Sequence, residues 1–150
     1  MALLGGGGVP LALPLRGCYR NGPICVRNVG TLKMARLRVL FENGDPERTI
    51  EFDPVKAPFQ HDGVPGSVLD ILLGHGVHLE HACGGNCACT TCHVIVKSGD
   101  GHLSEAEENE LDLLDKAPGL TATSRLGCQA VITGDAAVTV LIPRFTINAA

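Results

Sequence analysis

The sequence has no tryptophan, and aromatic residues make up only 3% of it. A hydrophobic core must therefore be assembled from aliphatic side chains. No apolar run approaches the ~20 residues that a membrane-crossing helix needs. There is no internal repeat, so a solenoid is excluded. Seven cysteines in 150 residues are too few for a disulfide framework. Four of them instead fall within ten positions, a clustering that argues for a metal site in a reducing compartment.

Other absences divide the chain. Residues 1–33 contain no acid and no serine, but hold "GGGG" at 5–8 and three prolines. With Arg16, Arg20, Arg27 and Lys33 their charge is +4. A secretory signal fits badly: the basic n-region is missing, Pro10 and Pro14 interrupt the apolar run, and no A-x-A site follows. A transit peptide suits the lack of acids but not the lack of serine. Residues 1–33 are expected to be a flexible N-terminal extension, with Cys18 and Cys25 holding no ligand. Met34 opens the patterned region and is a candidate for the true start. Residues 34–150 form the expected domain, with 8 basic and 16 acidic side chains and a net charge of −8. Such a domain repels nucleic acid and anionic lipid and favours a basic protein partner.

"ARLRVLF" (35–41) and "RTIEFD" (48–53) alternate with period two around "ENGDP", which predicts a β-hairpin. "SVLDILLGHG" (67–76) predicts a helix with Ser67 as N-cap and Gly74 or Gly76 as its stop. "CHVIVKSG" (92–99) is strand-like. "SEAEENELDLLDKA" (104–117) predicts a second helix, with Ser104 and Glu107 at capping-box spacing and Leu103, Leu111 and Leu114 on its buried face. "LGCQAVIT" and "AAVTVLIP" predict two more strands around a turn at Gly134 and Asp135. Four or five strands with two helices, not regularly alternating, predict an α+β fold.

The chemistry lies in "HACGGNCACTTCH" (81–93). Cys83, Cys89 and Cys92 give C-x5-C-x2-C, and Cys128 follows in "RLGCQA". Three clustered thiolates and one distant one suit a [2Fe–2S] cluster. The plant-type C-x4-C-x2-C spacing does not fit, and the one-longer spacing leaves Cys87 spare. Two ferric ions, two sulfides and four thiolates sum to −2, so the cluster needs hydrogen-bond donors around it. Gly84, Gly85, Ala88, Thr90 and Thr91 are small enough to let backbone N–H groups supply them. The alternative is a zinc-stabilised interaction module, which would need His93 or His81 to complete a site with only one C-x2-C knuckle. A redox dithiol at Cys89 and Cys92 would leave the other cysteines unexplained. His75, His78 and His81 recur every third residue without a carboxylate cluster, which points to surface or helix-end roles. His93, beside a candidate ligand, is expected to hydrogen-bond and hold the loop against the sheet. Glu105, Glu107, Glu108, Glu110, Asp112 and Asp115 make a run that is either a solvated face or a docking face.

The pieces "LEHACGGNCACTTCHVIV", "EENELDLLDKAPGL", "SRLGCQA" and "VLIP" resemble the adrenodoxin-type [2Fe–2S] ferredoxins, and most closely the bacterial ferredoxins of iron–sulfur cluster assembly. The resemblance spans about 34–143. It implies a β-grasp (ubiquitin-like) fold, a mixed sheet with a helix packed on it and a cluster-binding loop. It implies one [2Fe–2S] cluster per chain, held by Cys83, Cys89, Cys92 and Cys128, with Cys87 as a non-ligand cysteine. The implied role is one-electron transfer, without catalysis, from an NAD(P)H-dependent ferredoxin reductase to cluster assembly by a cysteine desulfurase and scaffold. A cytochrome P450 or another monooxygenase is the alternative acceptor. Glu108, Asp112 and Asp115 are the implied docking residues. A monomer is expected, in the bacterial cytoplasm, or in the mitochondrial matrix if 1–33 is a transit peptide. Pro118 departs from the pattern, since relatives commonly carry an aromatic there, near the counterpart of His93.

Overall fold

The computed structural model describes residues 34–146, so the expectations for 1–33, Cys18 and Cys25 included, lie outside the described residues. Its elements are β1 (Ala35–Phe41), β2 (Arg48–Phe52), α1 (Val68–Gly74), β3 (His93–Ser98), α2 (Glu108–Leu114), β4 (Ser124–Leu126) and β5 (Ala137–Ile142), with a single 3-10 turn at Asp100–His102. Alternation sets the hairpin. Ala35, Leu37 and Val39 are buried, and Arg36 and Arg38 between them are exposed. β2 pairs antiparallel with β1, placing Leu37 opposite Ile50 and Arg36 opposite Glu51. The Arg36–Glu51 and Arg38–Glu47 ion pairs close over the solvent face; exposed pairs of this kind contribute at most about 1 kcal/mol.

The sheet order is β2-β1-β5-β3-β4. β1 and β5 run parallel, and the other neighbours are antiparallel. With α1 packed on it, this is the expected β-grasp arrangement. Ser67 caps α1 by accepting the Asp70 N–H. Val68, Leu69, Ile71 and Leu72 then join Leu37, Val39, Val94, Val96, Val138 and Val140 in one aliphatic core. The helix stops as the His75 N–H bonds back to Leu72 O, the Gly76 N–H bonds back to Leu73 O, and Gly76 turns left-handed at φ +68°, a conformation that favours glycine.

Two expectations need correction. The second helix is shorter than 104–117, and its N-cap is Glu107, not Ser104. Ser104 Oγ instead accepts the Val131 N–H and donates to Gln129 O, and Leu103 bridges Ile132. This stapling keeps 103–104 extended. Leu114 is buried as expected, but Leu111 is half exposed, and Glu110 occupies the buried face. "LGCQAVIT" is likewise not a strand. Its carbonyls at Gly127 and Ala130 accept from Leu69 and Val68 at the start of α1, and that of Cys128 accepts from Val64 before the helix, so they are not available to a strand partner.

Candidate metal centre

Small residues let the cysteine segment curl. Gly84 and Gly85 have φ of +68° and +74°, and Cys87 shares the left-handed region at +51°, which is uncommon for a side-chain-bearing residue. Cys89, Cys92 and Cys128 are buried, whereas Cys83 and Cys87 are only partly covered. The Gly127 N–H donates to Cys92 O at 2.8 Å, tying the distant cysteine's turn to the loop.

The four expected ligands meet as two adjoining pairs. The Cys83 thiol and N–H face the Cys89 sulfur, and the Cys92 thiol faces Cys128. Among the described residues, no three His, Cys, Asp or Glu side chains gather round a single-ion site. A dinuclear cluster takes two thiolates at each iron, whereas tetrahedral zinc draws four ligands to one point. The paired arrangement therefore fits the cluster.

Donors converge on these sulfurs. The Ala82 N–H donates to Thr91 Oγ1, whose hydroxyl lies 3.1 Å from Cys89 Sγ and is free to donate to it. Gln129 Nε2 donates to Cys128 Sγ at 3.3 Å, and the Cys87 N–H donates to the same sulfur. The Cys128 thiol is lowered to about 6, first by the hydrogen bond from Cys92, then by those from Gln129 and the Cys87 N–H, against burial. Cys92 is raised by the same shared proton and by burial. At Cys89 burial raises the pKa, but the bonds from Thr91 and Cys83 outweigh it and the net shift is downward. Cys87 is pushed up to about 11 by burial and by the negative charge of Cys128. These surroundings favour the thiolate at Cys89 and Cys128 and disfavour it at Cys87 and Cys92.

Residues 56–133 match the family described as the 2Fe-2S iron-sulfur cluster binding domain. The chain is 54% identical over 82 residues to the 2Fe-2S ferredoxin of Escherichia coli (strain K12), covering 55% of this chain and 73% of that one. This chain belongs to the [2Fe–2S] ferredoxin family. It is also 50% identical over 84 residues to the mitochondrial adrenodoxin homolog of Saccharomyces cerevisiae, covering 55% of this chain and 49% of the yeast protein. The crystal structure of the ISC-like [2Fe-2S] ferredoxin from Pseudomonas putida superposes with a TM-score of 0.62 at 39% identity, covering 78% of this chain and 99% of that one. The ferredoxin is an electron carrier with an adrenodoxin-type β-grasp fold and a [2Fe–2S] cluster. A zinc-stabilised module fits neither the family nor the paired thiols.

The acidic run of this ferredoxin is not uniform. Glu108, Asp112 and Asp115 are exposed, as a docking face requires. Glu110 is 1% exposed and serves the interior. Its carboxylate accepts from Arg125 Nε at 2.8 Å, Arg125 Nη2 at 3.0 Å and the Leu126 N–H at 2.8 Å. Arg125 Nη1 also donates to Ser104 O at 2.6 Å. The pair locks α2 to β4, two residues before Cys128. Sequence reasoning missed this role. The available signal was Arg125, the only base between Lys116 and Arg144, and the four-residue spacing of Glu110 from Leu114.

His75, His78 and His81 take the expected bland roles, whereas the buried His93 ring reaches Ser124 in β4 and not the cysteine loop. His75 Nδ1 bonds Ile71 O and His81 Nδ1 bonds Leu79 O, while His78 pairs with Glu80. These are helix-end, turn and surface roles. His93 is fully buried, and its Nε2 bonds Ser124 Oγ at 2.8 Å. Ser124 Oγ also accepts the Thr121 N–H, so the ring anchors the 121–124 turn. Burial lowers the His93 pKa, which favours the neutral ring. Pro118 lines a cleft of about 330 Å³ with Glu42, Ile95, Gly119, Pro143, Arg144 and Phe145.

Proposed function

We propose that Cys83, Cys89, Cys92 and Cys128 hold the cluster and that the protein carries single electrons from an NAD(P)H-dependent ferredoxin reductase to iron–sulfur cluster assembly. The observation that carries the ligand assignment is the pairing of Cys83 with Cys89 and of Cys92 with Cys128. When bound, the cluster supplies a one-electron couple between diferric and mixed-valence states. The chain supplies the rest. Buried Cys89, Cys92 and Cys128 fix the site in the interior, and partly covered Cys83 leaves one side near the surface. Hydrogen bonds from Thr91, Gln129 and backbone N–H groups stabilise negative charge on sulfur. The protein performs no catalysis of its own.

The resemblance to the assembly ferredoxins favours a cysteine desulfurase and its scaffold as the acceptor system. A cytochrome P450 or other monooxygenase is the alternative. The domain works as a monomer in the bacterial cytoplasm; a mitochondrial site would depend on residues 1–33. No helix of the described residues is long and apolar enough to cross a membrane. The acceptor is tested by supplying reduced protein as the sole reductant to a desulfurase–scaffold mixture. Cluster formation on the scaffold supports the reading, and failure there beside P450 turnover would transfer it to the alternative.

Docking is assigned to Glu108, Asp112 and Asp115. Asp112 and Asp115 are three residues apart and exposed at the end of α2, so they address one partner surface. In a domain of charge −8 their field accelerates encounter with a basic partner, by about tenfold or more at low salt. Asp112→Lys with Asp115→Lys is therefore expected to slow reduction by the reductase by about that factor while leaving the visible spectrum intact. The wild-type rate is expected to fall with salt, because the Debye length shrinks from ~10 Å at 0.1 M to ~3 Å at 1 M. A double variant reduced as fast as wild type at low ionic strength would make this helix a solvated face.

A further inference from the structure

Between β2 and α1 the chain runs through residues 53–66 without helix or strand. The later part of this segment is held in place by one buried side chain. Asp70 is 1% exposed, and its Oδ1 accepts the Gln60 N–H at 2.7 Å while its Oδ2 accepts the Gly66 N–H at 2.8 Å. Both ends of 60–66 are thus fixed to the first turn of α1.

What lies between those ends is pressed against the metal centre. The Val64 N–H donates to Cys128 O at 2.9 Å. A Cβ on Gly63 would sit 2.9 Å from Cys128 O and 3.0 Å from Cys128 Cα. A Cβ on Gly85 would sit 2.1 Å from the Gly63 nitrogen. The two glycines exist at this contact because the backbones touch. Segment 60–66 therefore fills the seam between the cysteine loop and the turn bearing Cys128.

We propose that Asp70 is a positioning residue that clamps segment 60–66 as a cover over the cluster, excluding water from the Gly85–Cys128 seam and so holding the reduction potential low. Reduction adds a negative charge to a group that is already anionic. Water in the seam would solvate that charge, and its exclusion disfavours the reduced state. The inference rests on the assignment of Cys128 as a ligand.

The test uses the intact cluster-bound protein and two readouts, the potential from a spectroscopically followed redox titration and the rate of cluster loss to an iron chelator. Three substitutions separate the possible causes. Asp70→Asn removes the clamp and a charge. Gly63→Ala wedges the seam with no change of charge. Asp62→Asn removes a charge at the cysteine loop, where Asp62 lies about 4.0 Å from His81, but touches no bond of the clamp. Asp70→Asn and Gly63→Ala are both expected to shift the potential upward and to speed cluster loss about tenfold, the scale of a lost charge-assisted hydrogen bond. Asp62→Asn is expected to leave the loss rate unchanged and to move the potential less than Asp70→Asn does. Equal shifts for Asp70→Asn and Asp62→Asn with no faster loss would mean that Asp70 acts by charge alone. Lower thermal stability at an unchanged potential would reduce it to a structural residue. Either result overturns the proposal. If Gly63→Ala does not fold, the comparison of Asp70→Asn with Asp62→Asn still decides. A normal spectrum in Cys128→Ser would instead defeat the ligand assignment, a separate outcome.

Discussion

Cys89→Ser is expected to lose the visible absorption of the ferredoxin or to assemble its cluster poorly, while Cys87→Ser keeps a near-normal spectrum. The two thiols are two residues apart in one loop, so sequence proximity does not separate them. Geometry does. Cys89 is 2% exposed and faces Cys83, with the Thr91 hydroxyl at 3.1 Å. Its environment lowers the pKa despite burial. The Cys87 thiol belongs to neither of the two pairs. What Cys87 contributes is its left-handed backbone, which aims its N–H at the Cys128 sulfur. Serine keeps that N–H, so Cys87→Ser should preserve the donor. A Cys87→Ser protein without cluster, beside a normal Cys89→Ser protein, would reverse the assignment.

Glu110→Gln is expected to destabilise the protein by about 3 kcal/mol or more, the cost of removing one partner of a buried ion pair. The Glu110 side chain is 2% exposed and that of Arg125 is 13% exposed. The carboxylate accepts three N–H donors, and the guanidinium is left partly buried without a counter-charge if it is neutralised. Glutamine fits the space, but its amide N–H₂ confronts another donor at Arg125. Urea unfolding monitored by the cluster absorption measures the change. Replacing both residues by leucine should recover much of the loss, since a buried pair exchanged for apolar packing is often neutral or better. A Glu110→Gln protein within about 0.5 kcal/mol of wild type would show that the pair does not lock α2 to β4.

The effect on function follows from position. α2 and its C-cap carry the exposed acids proposed to dock, and Glu110 on the inner side bonds Arg125 and the Leu126 N–H, two residues before Cys128. The helix thus presents exposed acids to solvent with one face and grips the strand leading to Cys128 with the other.

Much of this was legible in the sequence where a single local rule decides. Period-two alternation placed β1 and β2, and Ser67 marked the start of α1. The cysteine spacing selected four candidate ligands of which the fold brings together Cys83 with Cys89 and Cys92 with Cys128. Legibility failed where a distant segment took the group that the local rule had assigned. Ser104 stands at capping-box spacing, but its hydroxyl is used by Gln129 and Val131. "LGCQAVIT" has strand composition, but its carbonyls are taken by α1 and Val64. Glu110 reads as part of an exposed acidic run, and only the fold supplies the donors that let it be buried. The close approach of Gly63 to Gly85 pairs residues 22 apart, and no periodicity announces it.

The central claim is that these four cysteines hold a [2Fe–2S] cluster in the intact protein. Iron, zinc and acid-labile sulfide analysis of the purified chain, with its absorption spectrum, tests that most directly. The expected result is a red-brown protein with about two iron atoms and about two sulfides per chain. A colourless, folded protein with about one zinc per chain and no labile sulfide would contradict it.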